Sequence, residues 1–559
     1  MKTKYGSEAR ELLMKSISEV AKAVKSTLGA GGRTVMIESP YAGQKPIVTK
    51  DGVTVAKAIE THDKELALGI NFIKEVSMDT NTECGDGSST SLILAEALAR
   101  LCVDKLDQGA DARNLKNGFD KAIAFVVEYI LDNAIQVRDN PELLRQVAVT
   151  SANNDEALGN LVYEAFKQVN FEGIVQLAPV KNAFDGVTLT QGTKFPRGYV
   201  SPIGINNDRE GMFDFEDCNI LITDHIINDL INFQSFIKDE NGKEIEYNVL
   251  NELADDSVGK NKPLLIICDD METTALTKLN VNIMQGRIRM CTVKAPDYGT
   301  LRDDFLSDLA LLTGGRYIST KLGDKLADVR MSDIGSAKTV QVSRDFTLIK
   351  EGAGDQEAVQ ELATALKDKL QIVPKEEKEE LEKRLSKLTG GIAELTVGAS
   401  STSELGEKRD RAEDAINAVR SAYEEGIVEG GGTLLLRASN ELAKYIDEDD
   451  TITARESIGA RVVIQGLLAP FITILENAGY DDYKKIKRSI DDKNYRVVFN
   501  VITGNIEYAN ESMIVDPAKV TRHAVQNAAS VVGTLITTDC IVYRPVNTEL
   551  TSEDIFVPK

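Results

Sequence analysis

The residues with the clearest chemical potential are Gly85-Asp86-Gly87 followed by Ser88, Ser89, Thr90 and Ser91. An apolar helical stripe, Leu92, Ala95, Leu98 and Leu101, follows at once, so the run is predicted to form the mouth of a helix. Backbone N–H groups in a first helical turn lack intrahelical partners and lie at the positive end of the dipole, so they can hold phosphate oxygens. The hydroxyls add donors. A carboxylate between two glycines is poorly suited to touch phosphate itself but well suited to hold a Mg²⁺ that bridges phosphates. By itself the run reads more simply as a helix cap, since Asp and Ser are common there.

Two further glycine-rich turns, Gly29-Ala30-Gly31-Gly32 and Gly430-Gly431-Gly432, also permit close backbone approach to an anion, or merely terminate helices. None is a Walker loop, because no Gly-Lys-Ser/Thr ending follows. The elements that must position these turns are mostly helical. From Ser7 to Ser26 the residues Leu13, Ile17, Val20 and Val24 recur at helical spacing, and residues 113–134 carry a second stripe of Phe119, Ile123, Val126 and Ile130. Thr34–Glu38 and Ile47–Val55 read as a strand pair with Asp51-Gly52 at a bend.

Between about residues 190 and 345 the texture becomes α/β: short runs such as Asn219–Thr223 and Pro263–Cys268 alternate with helical stretches such as Thr273–Gln285. Asn241-Gly242 signals a hairpin, taken as a surface insertion. Residues 355–388 are helical and charged, and their Lys375–Glu380 run is a solvated face. After Gly390-Gly391 a helix resumes from Arg409 with Ala412, Ala415, Ile416, Val419 and Ala422 on one face.

At 559 residues the chain exceeds what one core supports, and 42% hydrophobic with 27% charged residues is ordinary globular composition. Two to four domains follow. The net charge of −23 opposes a phosphate backbone, so nucleic acid is not expected as a partner. Six dispersed cysteines without a Cys-x-x-Cys pair suggest neither a disulfide framework nor a zinc site, and fit a reducing cytoplasm. Met1–Tyr5 leads into a charged helical pattern without the apolar stretch of a secretory signal. The most apolar segment, Val462–Leu475, is interrupted by Gln465, Gly466 and Pro470 and reads as too short to span a bilayer, so no membrane is expected.

Eight segments together resemble the landmarks of the GroEL-type group I chaperonins: Thr27-Leu28-Gly29, Thr49-Lys50-Asp51-Gly52-Val53, Gly85-Asp86-Gly87, Arg197-Gly198-Tyr199, Lys294-Ala295-Pro296, Glu413-Asp414-Ala415, Glu424-Glu425-Gly426 and Asp516-Pro517-Ala518-Lys519-Val520. The resemblance covers nearly the whole chain. It implies a multidomain α plus α/β fold: a mainly helical equatorial ATPase domain from residues 1–133 and 425–559, a small intermediate hinge domain from 134–190 and 393–424, and an inserted α/β apical substrate-binding domain from 191–392.

The resemblance also implies site residues. Thr27, Leu28, Gly29, Ala30 and Lys50 would line the nucleotide, Asp86 would hold the metal, and Gly87, Ser88, Ser89 and Thr90 would cradle the phosphates. Gly431, Ile474, Asn500 and Asp516 would line the nucleoside. Asp414 would orient the attacking water, assisted by Asp51. ATP, Mg²⁺ and K⁺ are the implied cofactors. Tyr199, Leu250, Leu253, Leu276, Leu279 and Val281 would bind clients, Gly192, Gly390 and Gly391 would be hinges, and Asp155 with Arg197 would link neighbouring subunits. The implied assembly is a seven-membered homo-oligomeric ring, single or double, acting on non-native proteins with or without a co-chaperonin.

Departures from the family pattern are informative. Ala30 replaces a proline and Ser88 and Ser89 replace threonines, which keeps backbone and hydroxyl chemistry. Ile203, Gly204 and Asn280 replace two aromatic residues and an apolar one in the apical region. Ile472 stands for a basic residue, and Asp104 and Asp450 put like charges where the family has an opposite pair. The end, Phe556–Lys559, lacks Gly-Met repeats. Two rival classes remain: a chaperonin-like scaffold without turnover, opposed by the intact Asp51, Asp86 and Asp414, and a small-molecule kinase, opposed by the missing signature motifs.

Overall fold

Described in this computed structural model are residues 2–543, except 39–45, 62, 139, 153–154, 172, 179–183, 209, 239–243, 260–261, 371–380, 382–383, 386, 389–390, 400–401 and 493–495. The turn at Asn241-Gly242, the Lys375–Glu380 run, Gly390 and the Phe556–Lys559 end therefore lie outside the described residues. The chain divides into two compact units, Met1–Tyr163 with Ser401–Lys559, and Glu164–Ser400.

In the first unit the helical stripes fold as their periodicity demands. Helix α1 (Gly6–Lys25) buries Leu13, Ile17, Val20 and Val24. The hairpin β2 (Val35–Ile37) and β3 (Ile47–Thr49) follows, after β1 (Lys2–Tyr5). The expected second strand stops at Thr49. Gly52–Ala58 is instead a helix, α2, because Asp51 caps it: its carboxylate accepts from Val53 N (3.1 Å) and Thr54 N (2.8 Å).

Helices α3 (Lys64–Cys84), α4 (Ser88–Asp107), α5 (Ala112–Asp132), α6 (Pro141–Ser151) and α7 (Glu156–Gln168) come next. Leu92, Leu98 and Phe119 are fully buried or nearly so. Each such side chain contributes about 1.5–3 kcal/mol relative to exposure.

The second half of this unit supplies α12 (Thr402–Glu425), α13 (Thr433–Glu448), α14 (Glu456–Gly466), α15 (Ala469–Asn477) and α16 (Ala518–Thr537). Small residues decide one crossing. A Cβ on Gly118 of α5 would lie 1.8 Å from Glu456 O, and one on Gly459 of α14 would lie 2.0 Å from Leu115 O, so the two backbones touch. A larger residue at either glycine would separate the helices. The span Glu456–Asn477, wider than the apolar stretch Val462–Leu475, is 22 residues long and contains an 18-residue window of mean hydropathy 1.8, enough by length and composition alone to cross a membrane. Its helices nevertheless pack in the core, α14 on α4 and α5 and α15 on α4, with 56% of that window buried.

The second unit is built on a mixed sheet. Its strands are β4 (Ile174–Leu177), β5 (Gly186–Phe195), β6 (Phe213–Thr223), β10 (Leu264–Cys268), β12 (Met290–Lys294), β13 (Tyr317–Ile318), β14 (Gly335–Val342), β15 (Thr347–Gly352) and β16 (Gly391–Thr396). They run in the order β12-β10-β6-β14-β15-β5-β16-β4, with β13 also beside β6. β10 is parallel to both its neighbours and buried at all five positions, the pattern of a strand covered on both faces.

Alternation sorts those side chains. Leu265 and Ile267 join a core with Phe305 and Leu309 of α10 (Thr300–Thr313), whereas Leu264 and Ile266 join one with α8 (Val249–Gly259) and α9 (Thr273–Met284). α11 (Gln356–Leu370) packs on α10. Beside the sheet stand two small ones, β7 (Ile226–Ile227) with β11 (Asp270–Met271) and β8 (Gln234–Lys238) with β9 (Glu244–Asn248). The first unit's remaining pairs are β17 (Ile427–Glu429) with β20 (Val515–Pro517), β18 (Val497–Asn500) with β19 (Asn505–Tyr508), and β1 with β21 (Cys540–Tyr543).

Candidate active site

The run Gly85-Asp86-Gly87 is the turn between α3 and α4. Gly85 (φ +69°) closes α3 through its N–H to Asn81 O at 2.7 Å, and Gly87 (φ +84°) opens α4; both occupy the left-handed region that favours glycine. No side chain caps α4. The capping interpretation of the run is thereby corrected: among the described residues Asp86 accepts from Gly87 N alone, at 2.5 Å, and no side chain caps the first-turn amides of Ser88, Ser89 and Thr90.

Other glycine-bounded segments meet this helix mouth. Gly52 at the start of α2 is so close that a Cβ there would lie 2.2 Å from Ser89 Oγ, so two helix N-termini converge. Thr27 Oγ1 stands 3.4 Å from Ser89 Oγ. The loop Thr27–Ala30 is held by Asn477 of α15, whose Nδ2 donates to Lys25 O and Leu28 O at 2.8 Å each, while Ile474 packs on Gly29 (φ +79°). Lys50 is exposed immediately before the Asp51 cap.

Helix α12 brings Asp414 to the same place. A cleft of about 420 Å³ is lined by Asp51, Gly85, Asp410, Asp414, Asn417 and Arg420, among others. Enclosure by protein and then the charges of Asp86 and Asp51 push the Asp414 carboxyl up to about 8. Asp414 and Asp86 keep more than a third of their surface open, so cleft water screens this repulsion. Burial, then the charge of Asp86, likewise raises Asp516 of β20 to about 7. Enclosure by surrounding protein atoms is also the main cause of the upward shift of Asp86, although its side chain stays open to cleft water. The charge of Asp86 thus bears on both Asp414 and Asp516, and an electropositive ligand beside Asp86 would favour the ionised forms of these three carboxylates.

A metal fits this donor set in a limited way. Among the described residues no three His, Cys, Asp or Glu side chains converge as a closed cage. A dication here would take its remaining ligands from phosphate and water, as Mg²⁺ commonly does.

Two expected nucleoside residues have local contacts of their own. Asn500 bridges the β18–β19 turn, donating to Glu507 Oε2 (2.8 Å) and accepting from Ile502 N (3.0 Å). Gly431 (φ +64°) lies by Ile514 in the turn before α13. Sequence reading missed Asn417. It stands three residues after Asp414 and sits against Gly85, with Nδ2 directed at Gly85 O (3.4 Å). Helical spacing from Asp414 was the available signal.

A family model described as the TCP-1/cpn60 chaperonin family matches residues 20–545. The chain belongs to that family. Chaperonin GroEL of Methanoregula boonei is 36% identical over 539 residues, covering 96% of each chain. Crystal structures of chaperonin gp146 from the bacteriophage EL 2 (Pseudomonas aeruginosa), in the presence of ATP-BeFx, share the fold in two crystal forms. Each is 23% identical and covers 97% of this chain and 99% of that one, with TM-scores of 0.71 and 0.63. This chaperonin is therefore of the GroEL type, an ATPase that couples ATP hydrolysis to protein folding, forms rings and acts on non-native clients.

The second unit of the chaperonin corrects part of the client-site expectation. Leu253 is fully buried and Leu250 and Leu279 nearly so, all in the core beneath α8 and α9. They face inward because the sheet's Leu264 and Ile266 need covering. Leu276 is half-buried, Tyr199 stacks edge-on against Phe213, and Val281 is 46% exposed. Gly192 and Gly391 lie in the adjacent strands β5 and β16. Close approach explains Gly192, where a Cβ would be 2.5 Å from Ile349 O. Asp155 caps α7 through Leu158 N (3.1 Å) and pairs with Arg411 at 3.4 Å, while Arg197 donates its backbone N–H to Phe195 O.

Proposed function

We propose that Asp414 orients the water that attacks the terminal phosphate of ATP, assisted by Asp51, while the open first turn of α4 and the loop Thr27–Ala30 hold the phosphates. The convergence of an uncapped helix mouth with Asp86 and Asp414 carries this reading. Asp86 is the residue suited to hold Mg²⁺, which when bound neutralises phosphate charge; K⁺ is the second cation proposed. Positioning and charge stabilisation then suffice, and no covalent intermediate is needed. Asp51 assists chiefly by presenting the α2 N-terminus, since its oxygens are engaged by Val53 N, Thr54 N and Thr54 Oγ1.

The finer organisation is proposed on the family pattern: equatorial, intermediate and apical domains with Gly192 and Gly391 at the hinge, a seven-membered ring in the cytoplasm, and Asp155 with Arg197 between neighbours. Ile472, Asp104 and Asp450 weaken contact between two rings, because like charges repel across an interface. Native mass measurement with and without ATP tests this, and a fourteen-subunit particle under both conditions refutes it. For the active site, Asp414→Asn should bind ATP normally and lose about 10²-fold or more of its turnover. Unchanged steady-state hydrolysis refutes the assignment.

A further inference from the structure

Asn477 is the last residue of α15, yet among the described residues its carboxamide makes no bond to that helix. Its Nδ2 donates to Lys25 O and to Leu28 O, so both amide hydrogens are engaged by a segment 452 and 449 residues away in sequence. Lys25 ends α1, where a carbonyl has lost its intrahelical partner, and among the described residues its oxygen otherwise meets Leu28 N alone, at 3.4 Å. Leu28 O belongs to the loop itself. One side chain thus ties the end of α1 and the start of the loop to α15.

The main chain repeats the contact. A Cβ on Gly31 would lie 2.6 Å from Asn477 O and 2.7 Å from Ala478 N, so the loop lies against the last turn of α15. That helix is anchored by the buried Phe471 and Leu475 and packs on α4. The loop's own bonds, Gly32 N to Gly29 O at 2.9 Å and Arg33 N to Ser26 O at 2.7 Å, close the turn on itself without fixing it against α4.

We infer that Asn477 is a positioning residue for nucleotide binding, whose carboxamide holds the loop Thr27–Ala30 against the open mouth of α4 before ATP arrives. The inference rests on the reading that this loop holds the phosphates, and adds the residue that places it. Asn477 does not line the cleft of Asp51, Asp410 and Asp414. Its loss therefore leaves the ordering of the loop to be met by ATP binding, and should weaken affinity while sparing the hydrolytic step.

The test compares Asn477→Asp, which keeps the shape but sets a carboxylate against two carbonyl oxygens, with Asn477→Leu, which removes the donor at every pH. Asn477 is half-buried at a helix end, and neither change enters the packed cluster of Phe471 and Leu475. In the full-length assembled protein at about pH 8, both variants should raise KM for ATP about 10-fold to 100-fold with kcat nearly unchanged, and equilibrium binding of ADP should weaken in parallel. Facing carbonyl oxygens favours the neutral carboxyl, which can donate one hydrogen bond. The KM defect of Asn477→Asp relative to the parent should therefore shrink toward about pH 6, and that of Asn477→Leu should not.

A merely structural role would lower the melting temperature and leave KM where it is. Unchanged KM in both variants, a loss confined to kcat, or a defect in Asn477→Asp that ignores pH overturns the inference. Gly29→Ala strains the loop directly, at φ +79°. A raised KM there beside normal KM in both Asn477 variants overturns the inference alone, whereas normal KM in all three also overturns the reading that the loop holds the phosphates.

Discussion

Replacing Gly85 by alanine tests whether α12, and with it Asp414, is seated on the loop that carries Asp86. A Cβ at Gly85 would stand 2.1 Å from Asn417 Nδ2, 2.3 Å from its Cγ and 2.9 Å from its Cβ. Alanine in the left-handed region costs about 1–2 kcal/mol, and forcing a methyl group into a packed contact adds about 1–3 kcal/mol. Gly85→Ala should therefore destabilise the nucleotide-free protein by about 2–5 kcal/mol. Asn417→Ala removes the two nearest atoms, and a shift of a few tenths of an ångström relieves the Cβ contact that remains. The double variant should then keep mainly the backbone term, giving a coupling of about 1–3 kcal/mol in a urea-denaturation cycle. Turnover should follow the same order, because a misplacement of about 1 Å at a reacting group can cost about 10²-fold. Strictly additive stabilities, or Gly85→Ala with normal turnover, would refute the seating of α12 on Gly85.

Three further outcomes follow from buried contacts. Thr453 and Glu456 exchange hydrogen bonds in the manner of a capping box and Lys121 adds a charge, so the Glu456 carboxyl is pulled down to about 2. A depressed carboxyl contributes stability above its unfolded pKa, near 4.5, and loses it as pH falls toward 2, so Glu456→Gln should be less stable than the parent at neutral pH with a gap that closes on acidification; a pH-independent gap in melting temperature contradicts this. Leu253→Ala should cost about 2–5 kcal/mol in thermal unfolding without reducing client capture below the transition, and a loss of capture at unchanged stability would return Leu253 to the client surface. Arg384 holds the 7% exposed Asp308 with two bonds of 2.8 Å, so Arg384→Met should destabilise the second unit by about 3–5 kcal/mol and Asp308→Leu added to it should recover most of the loss, as read by denaturation; no recovery would mean that the carboxylate is not what the arginine compensates.

What could be read in the sequence depended on whether the signal was local. Apolar spacing located α1, α4 and α5 because a 3.6-residue stripe has one physical solution in a helix, and glycine pairs marked the α3–α4 turn because both backbone angles there are left-handed. Asp51 was misplaced because Asp-Gly serves a bend and a helix cap alike, and only the partners Val53 N and Thr54 N distinguish them. Asn417 was missed because its significance lies in the packing against Gly85, 332 residues away in sequence.

The client surface failed for a different reason. Leu250 and Leu253 satisfy the requirement for apolar residues on one helical face, but a core face and a face that binds unfolded chains have the same composition, so leucines at that spacing cannot tell them apart. The polar side of the same helix can. Asn251, Glu252 and Asp255 fix which way α8 must turn, since three such residues over Leu264 and Ile266 would leave charges without water. Once α8 is oriented by its polar residues, the exposed apolar side chains left to meet a client here are Ile231, Phe236, Val281 and Met284. Phe236 belongs to the hairpin that the sequence had marked only as an insertion, where it lies opposite Glu246 and 72% exposed.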